Sequence, residues 1–374
     1  MISFSAALSA IFLTATFINL TFWGLVFSKL AFLKKTKETK LSEENGPFVS
    51  VIICARNEEK NLQKNLRRIL NQNYHSFEII VVDDNSDDNS WIFLQQFQKS
   101  CPTFRIKIIR NTEKLHPGKK DALTKGIKAA EGEWLLLTDA DCTPESEWWL
   151  QKITRSIRPG KEIVLGFSPY IKKAGLLNIF IRLEAVYTAI QYFSFALCGM
   201  PYMGVGRNLL YRKQLFENSG GFIEHWHHRS GDDDLFINKV ADSKNTAICI
   251  EEGSFVFTTP ERTWKRYYNQ KRRHLSVSRF YKKREQFLLG ILSGSHLIHY
   301  MGGFVLIIFK ISTIFVFFLF VLRILTIWLL YALILKKLRH ESLWKWIPLF
   351  DFALALYYLI FSITLLFGKN VKWK

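Results

Sequence analysis

Residues 131–142 read Glu-Gly-Glu-Trp-Leu-Leu-Leu-Thr-Asp-Ala-Asp-Cys, and the fold of the chain is decided there. Trp134 to Thr138 is an apolar run with the length of a buried strand, too short for a helix. It stops at two carboxylates, Asp139 and Asp141, with Ala140 between them. In extended backbone, side chains at i and i+2 point the same way. The spacing therefore predicts that both carboxylates converge just past the strand's C-terminal end, where open α/β sheets bind their ligands. Two hard oxygen donors there suit Mg2+ or Mn2+, with substrate phosphates completing the shell. Taken alone, the pair would also suit a solvated Asp-X-Asp turn, or a helix N-cap supplied by Asp141.

Upstream, strand and helix alternate. Phe48-Val-Ser-Val-Ile-Ile-Cys-Ala reads as a buried strand ending at Arg56-Asn-Glu-Glu, followed by a helix over Lys60 to Leu70. Phe77-Glu-Ile-Ile-Val-Val is a second strand, closed by Asp83-Asp84-Asn85-Ser86, with a helix over Ser90 to Lys99 after it. Arg105-Ile-Lys-Ile-Ile-Arg is a third strand, and Pro117-Gly118-Lys119-Lys120 opens a helix through Ala130. This alternation predicts an α/β fold with a mostly parallel, Rossmann-like sheet. Its strand ends bring Arg56 and Glu58, Asp83 and Asp84, and Asp139 and Asp141 to one rim. Lys119 and Lys120, if merely solvated at a helix start, would be poorly placed for the helix dipole.

The flanks are of another kind. Residues 5–33 are nearly all apolar and are followed by Lys34, Lys35, Lys37 and Lys40. That is long enough to span a bilayer. A cleaved signal peptide would carry its basic residues first and a shorter apolar core, so residues 1–33 are expected to be a transmembrane anchor. The positive-inside rule puts residue 34 onward in the cytoplasm. Residues 287–335 are too long for one span and suggest two, and Trp346 to Phe367 suggests a third. The expected organisation is thus an anchor over 1–33, a cytoplasmic α/β domain over 46–285, and a membrane region of about three helices over 287–368. Lys336 to Arg339 and the final Lys369, Lys372 and Lys374 are both basic and leave the topology of that end open. His296 and His299 are expected at the membrane interface rather than as ligands.

The chain's 374 residues carry a net charge of +19. The basic residues crowd beside the apolar stretches, which favours an anionic membrane surface over nucleic acid as partner. The five cysteines are scattered, without metal-site spacing, as expected of reduced thiols.

Downstream of the carboxylates, Ile163-Val-Leu-Gly-Phe-Ser reads as a strand, and Leu176 to Met200 as a buried or membrane-interface helix containing Arg182 and Glu184. Ser230-Gly-Asp-Asp-Asp-Leu-Phe places three carboxylates side by side. Their mutual repulsion raises the pKa of at least one, which makes a competent general base; Asp234, at a helix start, is the expected cap. Trp264 to Arg284 is basic and aromatic, with Arg279, Lys282, Lys283 and Arg284 suited to anionic lipid.

Together, Val51-Ile-Ile-Cys-Ala-Arg-Asn-Glu-Glu, Val81-Val-Asp-Asp-Asn-Ser, Gly118-Lys-Lys-Asp-Ala-Leu and Thr138-Asp-Ala-Asp resemble the nucleotide-sugar half of a family 2 glycosyltransferase. The resemblance covers roughly residues 48–285 and the flanking helices of the family's synthase-like members. It implies the GT-A fold and an inverting transfer from a nucleoside-diphosphate sugar, with a UDP-sugar the expected donor, to a lipid-linked or glycan acceptor. By it, Ala55, Arg56 and Glu58 would line the nucleotide base and ribose, and Asp83 or Asp84 would accept from the ring or the ribose. Lys119 would face the diphosphate, and Asp139 and Asp141 would hold the Mg2+ or Mn2+. The loop Gly199-Met-Pro-Tyr-Met-Gly-Val-Gly-Arg-Asn-Leu resembles the acceptor-side glycine loop. The acidic motif would supply the base, Asp232 first and Asp233 as the alternative. Gln270-Lys-Arg-Arg273-His274 resembles the family's Gln-X-X-Arg-Trp, with Gln270 and Arg273 matching and Arg273 expected at the departing diphosphate. His274 replaces the tryptophan that stacks on the acceptor sugar, so processive polymerisation is not implied. Two other readings share parts of the pattern: a nucleotidyltransferase acting on a sugar phosphate, and a catalytically silent membrane scaffold.

Overall fold

The computed structural model describes residues 4–34, 46–113, 116, 118–228 and 230–367. Two compact units emerge. One is an α/β unit of Lys35–Lys172 and Gly199–Pro260; the other is a helical unit of Met1–Lys34, Lys173–Cys198 and Glu261–Lys374. Lys35, Lys37, Lys40, Pro117, Lys369, Lys372 and Lys374, used in the sequence reading, lie outside the described residues.

Along the chain, α1 (Phe4–Thr21) runs through a π-helical turn, Phe22–Phe27, into α2 (Ser28–Ala31). Then follow β1 (Val49–Ala55), α3 (Glu59–Leu70), β2 (Phe77–Asp83), α4 (Ser90–Ser100), β3 (Ile106–Arg110), α5 (Lys120–Ala129) and β4 (Trp134–Asp139). Past the carboxylates come β5 (Thr143–Pro144), α6 (Trp149–Thr154), β6 (Ile163–Leu165), α7 (Leu176–Leu197), β7 (Leu209–Arg212) and α8 (Lys213–Asn218). After these lie α9 (Asp234–Val240), β8 (Thr246–Ile248), β9 (Val256–Phe257), α10 (Trp264–Leu275), α11 (Lys283–Ile308), α12 (Thr313–Lys337) and α13 (Ile347–Phe367).

In the α/β unit, seven strands form one sheet in the order β3-β2-β1-β4-β7-β6-β8. β3, β2, β1 and β4 are parallel, and β7 runs antiparallel between β4 and β6. β1 and β4 are buried along nearly their whole length, as strands covered on both faces must be. That is why they read as continuous apolar runs rather than as alternation. α5 lies close on the sheet because residue 126 is glycine: a Cβ there would come within 2.8 Å of Ile52 Cγ2. The register sets Ala55 beside Asp83 and Cys54 beside Asp139, so three carboxylate-bearing loops leave the sheet at one edge.

Among the described residues, the helical unit contains four helices long and apolar enough to cross a membrane: Phe4–Ala31, Lys283–Ile308, Thr313–Lys337 and Glu341–Thr364. α7 is a buried helix, with Arg182 and Glu184 both inside. Outward-facing positions such as Phe4, Ile308 and Ile314 are apolar and exposed, as lipid-facing residues should be. A polar cluster lies in the interior of these helices. Arg323 on α12 is fully buried. It donates to Asp351 Oδ2 on α13 at 2.6 Å, to Asn19 Oδ1 on α1 at 2.9 Å, and to His296 Nδ1 on α11 at 2.9 Å. Tyr300 donates its hydroxyl to the same Asp351 oxygen at 2.5 Å, and His299 pairs with Thr16 at 2.7 Å. His296 and His299 are therefore interior residues, not interface residues. Both ring nitrogens of His296 are engaged, Nδ1 by Arg323 and Nε2 by the Asp351 backbone carbonyl at 2.9 Å, whereas His299 uses Nδ1 on Thr16 and keeps a buried Nε2 without a partner.

Candidate active site

The loops after β1 and β2 are laced together by side chains. Asn57 and Asn85 take left-handed φ values of 56° and 55°, a conformation asparagine tolerates better than most residues. Asn57 N–H donates to Ser86 Oγ at 2.9 Å, Asn57 Oδ1 accepts from Asp87 N–H at 2.7 Å, and Glu58 N–H donates to Ser90 Oγ at 3.0 Å. Ala55 is buried at the strand end, Arg56 projects exposed beside it, and Glu58 is half-buried. Burial pushes the Glu58 carboxyl up; the hydrogen bond from Asn61 opposes this, while the charges of Asp141 and Asp139 add to it. Asp84 accepts from Asn111 Nδ2 at 2.7 Å and is accounted for by the fold. Asp83 is fully buried; its Oδ2 accepts from Ser86 N–H at 3.4 Å and faces Arg110 at 3.8 Å, while its Oδ1 has no hydrogen-bond partner. A buried acceptor left open in this way is what a ligand N–H or O–H would satisfy.

Asp139 and Asp141 do come together, but not through extended backbone. β4 ends at Asp139, and Cys142 N–H turns back to Asp139 C=O at 3.0 Å. The chain therefore bends at Ala140, and the turn rather than strand alternation aims the two carboxylates. Ligand atoms of Asp139, Asp141 and Cys142 lie within 4.8 Å of one another. Asp141 Oδ2 accepts from Thr258 Oγ1 at 2.9 Å and Oδ1 from the Cys142 thiol at 3.4 Å. Burial and the neighbouring Asp139 charge push the Asp141 carboxyl up, against the pull of Arg207. Burial likewise holds the Cys142 thiol protonated, which leaves the two carboxylates as the hard donors. This crowding of negative charge, relieved by a divalent cation, fits Mg2+ or Mn2+.

The acidic triplet reaches the same place. Lys119, the residue that precedes α5, puts Nζ 3.0 Å from Asp139 Oδ1 and 3.1 Å from Asp232 Oδ2. Burial pulls the lysine down, but the charges of Asp139 and Asp232 outweigh it and hold Lys119 well above its ordinary value. Next to it, Lys120 is not a solvated helix-start residue. It is fully buried and donates to the carbonyls of His225, His228 and Ser230 at 2.6, 2.6 and 2.9 Å. One helix start thus ties Asp139 to the loop that delivers Asp232.

Within the triplet, the cap is Asp233 and not Asp234. Asp233 Oδ1 accepts from Asp234 N–H at 2.8 Å, and Oδ2 accepts from Gly206 N–H at 2.8 Å. Residue 206 must be small, because a Cβ would sit 3.1 Å from the Asp233 side chain. Burial first, and the Asp232 charge second, push the Asp233 carboxyl up. Asp233 is thus fully engaged in holding the loop, while Asp232 has one oxygen on Lys119. Gln270 and Arg273 lie on α10 in the helical unit. Gln270 Oε1 is buried without a partner, and Lys271 between them pairs with Glu184 of α7 at 2.5 Å.

Residues 50–220 match the family description Glycosyl transferase family 2. The chain carries a family 2 glycosyltransferase domain. Over 131 residues it is 36% identical to the dolichol-phosphate mannosyltransferase of Pyrococcus furiosus, covering 35% of each chain. It is 30% identical over 109 residues to the beta-monoglucosyldiacylglycerol synthase of Trichormus variabilis, covering 29% of this chain and 23% of that one. The matched segment therefore spans about a third or less of these relatives. Among solved structures, the mannosyltransferase PcManGT from Pyrobaculum calidifontis in complex with GDP-Man and Mn2+ superposes with a TM-score of 0.65. That match covers 97% of this chain and all of the other at 18% identity, and it shares the GT-A fold. Two side chains beside the carboxylate pair carried no expectation from the sequence, Arg207 and Thr258. Arg207 sat visibly in the glycine loop, directly after Gly-Val-Gly, where a lone guanidinium near two carboxylates was the available signal. No local pattern announces Thr258.

Proposed function

We propose that the whole chain is a membrane-anchored, metal-dependent inverting glycosyltransferase with its α/β unit in the cytoplasm. It moves a sugar from a nucleoside-diphosphate donor to a hydroxyl of a lipid-linked or glycan acceptor. The observation that carries the reading is the single nitrogen of Lys119 touching both Asp139 and Asp232. It brings the carboxylates suited to a metal and the carboxylate suited to a base to one point.

In the proposed reaction, Asp232 takes the proton of the acceptor hydroxyl as its oxygen bonds to the anomeric carbon. The bond from that carbon to the diphosphate oxygen breaks, and the diphosphate leaves with the electron pair. Asp139 and Asp141 would hold Mg2+ or Mn2+, which supplies charge neutralisation for the phosphates. Lys119 adds a fixed positive charge beside that leaving group. The sealed Asp83 Oδ1, with Ala55, Arg56, Glu58 and Asp84, forms the side for base and ribose. No covalent enzyme intermediate is required. A lipid-linked acceptor is supported by the four long apolar helices and by relatives named for dolichol phosphate and diacylglycerol products.

The test is a donor panel, beginning with UDP-sugars, on purified protein in detergent with Mn2+. Release of a nucleoside diphosphate that chelation abolishes is expected. Release of pyrophosphate would instead make the protein a nucleotidyltransferase, and no release with any donor would leave a silent scaffold.

A further inference from the structure

Arg182 is a buried cation that the fold leaves unanswered. It lies on α7 and is 7% exposed. Its Nε is sealed from solvent without a hydrogen-bond partner. Among the described residues no carboxylate pairs with it; burial is the sole cause acting on its pKa, and it pulls the guanidinium down. Glu184, two positions along the helix, is already taken by Lys271. A buried charge without a counter-charge is among the most expensive groups a protein can hold, and this one is held in place by packing.

Its surroundings mark a membrane face. Tyr331 of α12 donates to the carbonyl of Leu183, the residue after Arg182, at 2.6 Å. Six residues beyond Tyr331, Lys337 ends α12 and donates to the Leu33 carbonyl at 2.6 Å, so two long apolar helices end at the same level. Between α12 and the next span lie only Leu338, Arg339 and His340. His340 is buried, and its pKa falls to about 4, through burial chiefly and in part through the charge of Arg182. Glu341 is the acid nearest this turn, and it is exposed. Trp328 and Trp344 stack here with centroids 5.5 Å apart, the amphipathic ring pair expected at headgroup depth. Lys34, Lys336, Lys337 and Arg339 belong to the same ends.

We propose that Arg182 is the base of an anion site that takes a phosphate group at this basic membrane face. A guanidinium fork matches two phosphate oxygens, and an anionic phospholipid is the source that a bilayer supplies; soluble phosphate shares the chemistry. The inference does not depend on the glycosyl transfer proposed above, because its readout is binding rather than turnover.

The test is thermal unfolding of the full chain in detergent, as wild type, Arg182→Met and Arg182→Lys. Each is measured alone, with phosphatidylglycerol, with phosphatidylcholine and with inorganic phosphate. Phosphatidylglycerol is expected to raise the wild-type Tm well above the effect of phosphatidylcholine. In R182M the two lipids should act alike, while its Tm without lipid equals or exceeds that of wild type. A wild-type-specific rise with inorganic phosphate but not with phosphatidylglycerol would assign the site to a soluble phosphate. Equal phosphatidylglycerol and phosphate shifts in wild type and R182M would overturn the proposal. If R182M does not fold, R182K decides: a lipid shift reduced at least threefold supports the fork, and an undiminished shift refutes it.

Discussion

Replacing Lys119 by methionine keeps an unbranched apolar stem and removes the charged nitrogen, and the structure sets the size of the effect. The lysine makes two charge-assisted contacts, at 3.0 Å to Asp139 and 3.1 Å to Asp232. Such contacts contribute about 1.5–3 kcal/mol when shielded and about 0–1 kcal/mol when exposed. Lys119 and Asp139 are each about a third exposed, so that contact belongs near the lower range; the Asp232 side chain is only 12% exposed and belongs near the upper. The loss of about 2–3 kcal/mol, if it falls on the transition state, lowers turnover roughly 30- to 150-fold. Metal binding should move the other way, because Asp139 loses the cation that competes for it. Released nucleoside diphosphate would be followed across a Mn2+ titration. The expected pattern is a lower plateau reached at lower Mn2+. A plateau within threefold of wild type would refute the role given to Lys119. So would a Mn2+ requirement that rises as turnover falls, since that would make the lysine an organiser of the metal pair.

Further substitutions probe separate parts of the molecule. Asp232→Asn should lower turnover by about 10^2–10^4-fold with little change in Tm. Asp233→Asn, which loses a cap and the tie to Gly206, should cost about 1–2 kcal/mol of stability; a silent D232N beside an inactive, stable D233N would exchange the two roles. Glu78 is 1% exposed and accepts from Ser50 Oγ, Glu131 N–H and Lys107 Nζ at 2.6, 2.6 and 2.9 Å. Burial pushes its carboxyl up, but these bonds outweigh it and set it below the ordinary 4.5. Its contribution is therefore complete above about 4.5 and is lost as pH falls through the lower folded value. Glu78→Gln should flatten the acid limb of a stability profile, and an unchanged limb would show that Glu78 does not set it. In the helical unit, Arg323→Leu or Asp351→Leu alone should cost about 3–5 kcal/mol, while the double variant should recover most of that loss; additive losses in detergent would deny the pairing.

The α/β core was legible because β1, β2 and β4 are covered on both faces and must be apolar, and because their polar ends stand out against that background. The GT-A fold and the family followed from motifs lying at strand ends, whereas Asp232 lies in the loop before α9 and meets Asp139 through Lys119. What stayed hidden depends on contacts remote in sequence. Lys120 is out of place as a solvated helix start by its charge alone, but nothing local foretells that the carbonyls of His225, His228 and Ser230 will enclose it. Asp234 is the expected cap from its place at a helix start, and only the fold shows that Asp233, tied to the Gly206 N–H, takes the role instead. His296 and His299 were placed at the interface because a span read singly cannot show that Arg323, 27 residues beyond His296, turns inward to meet it.

The pairing of Arg323 with Asp351 also constrains how the protein is made. The two residues are 28 positions apart, so in the membrane-anchored protein proposed above α12 leaves the ribosome and meets the translocon before its counter-ion has been synthesised. An arginine at the centre of a lone helix partitions poorly into lipid. α12 should therefore wait at the protein-lined exit until α13 arrives, and the two should enter the bilayer as a neutral hairpin.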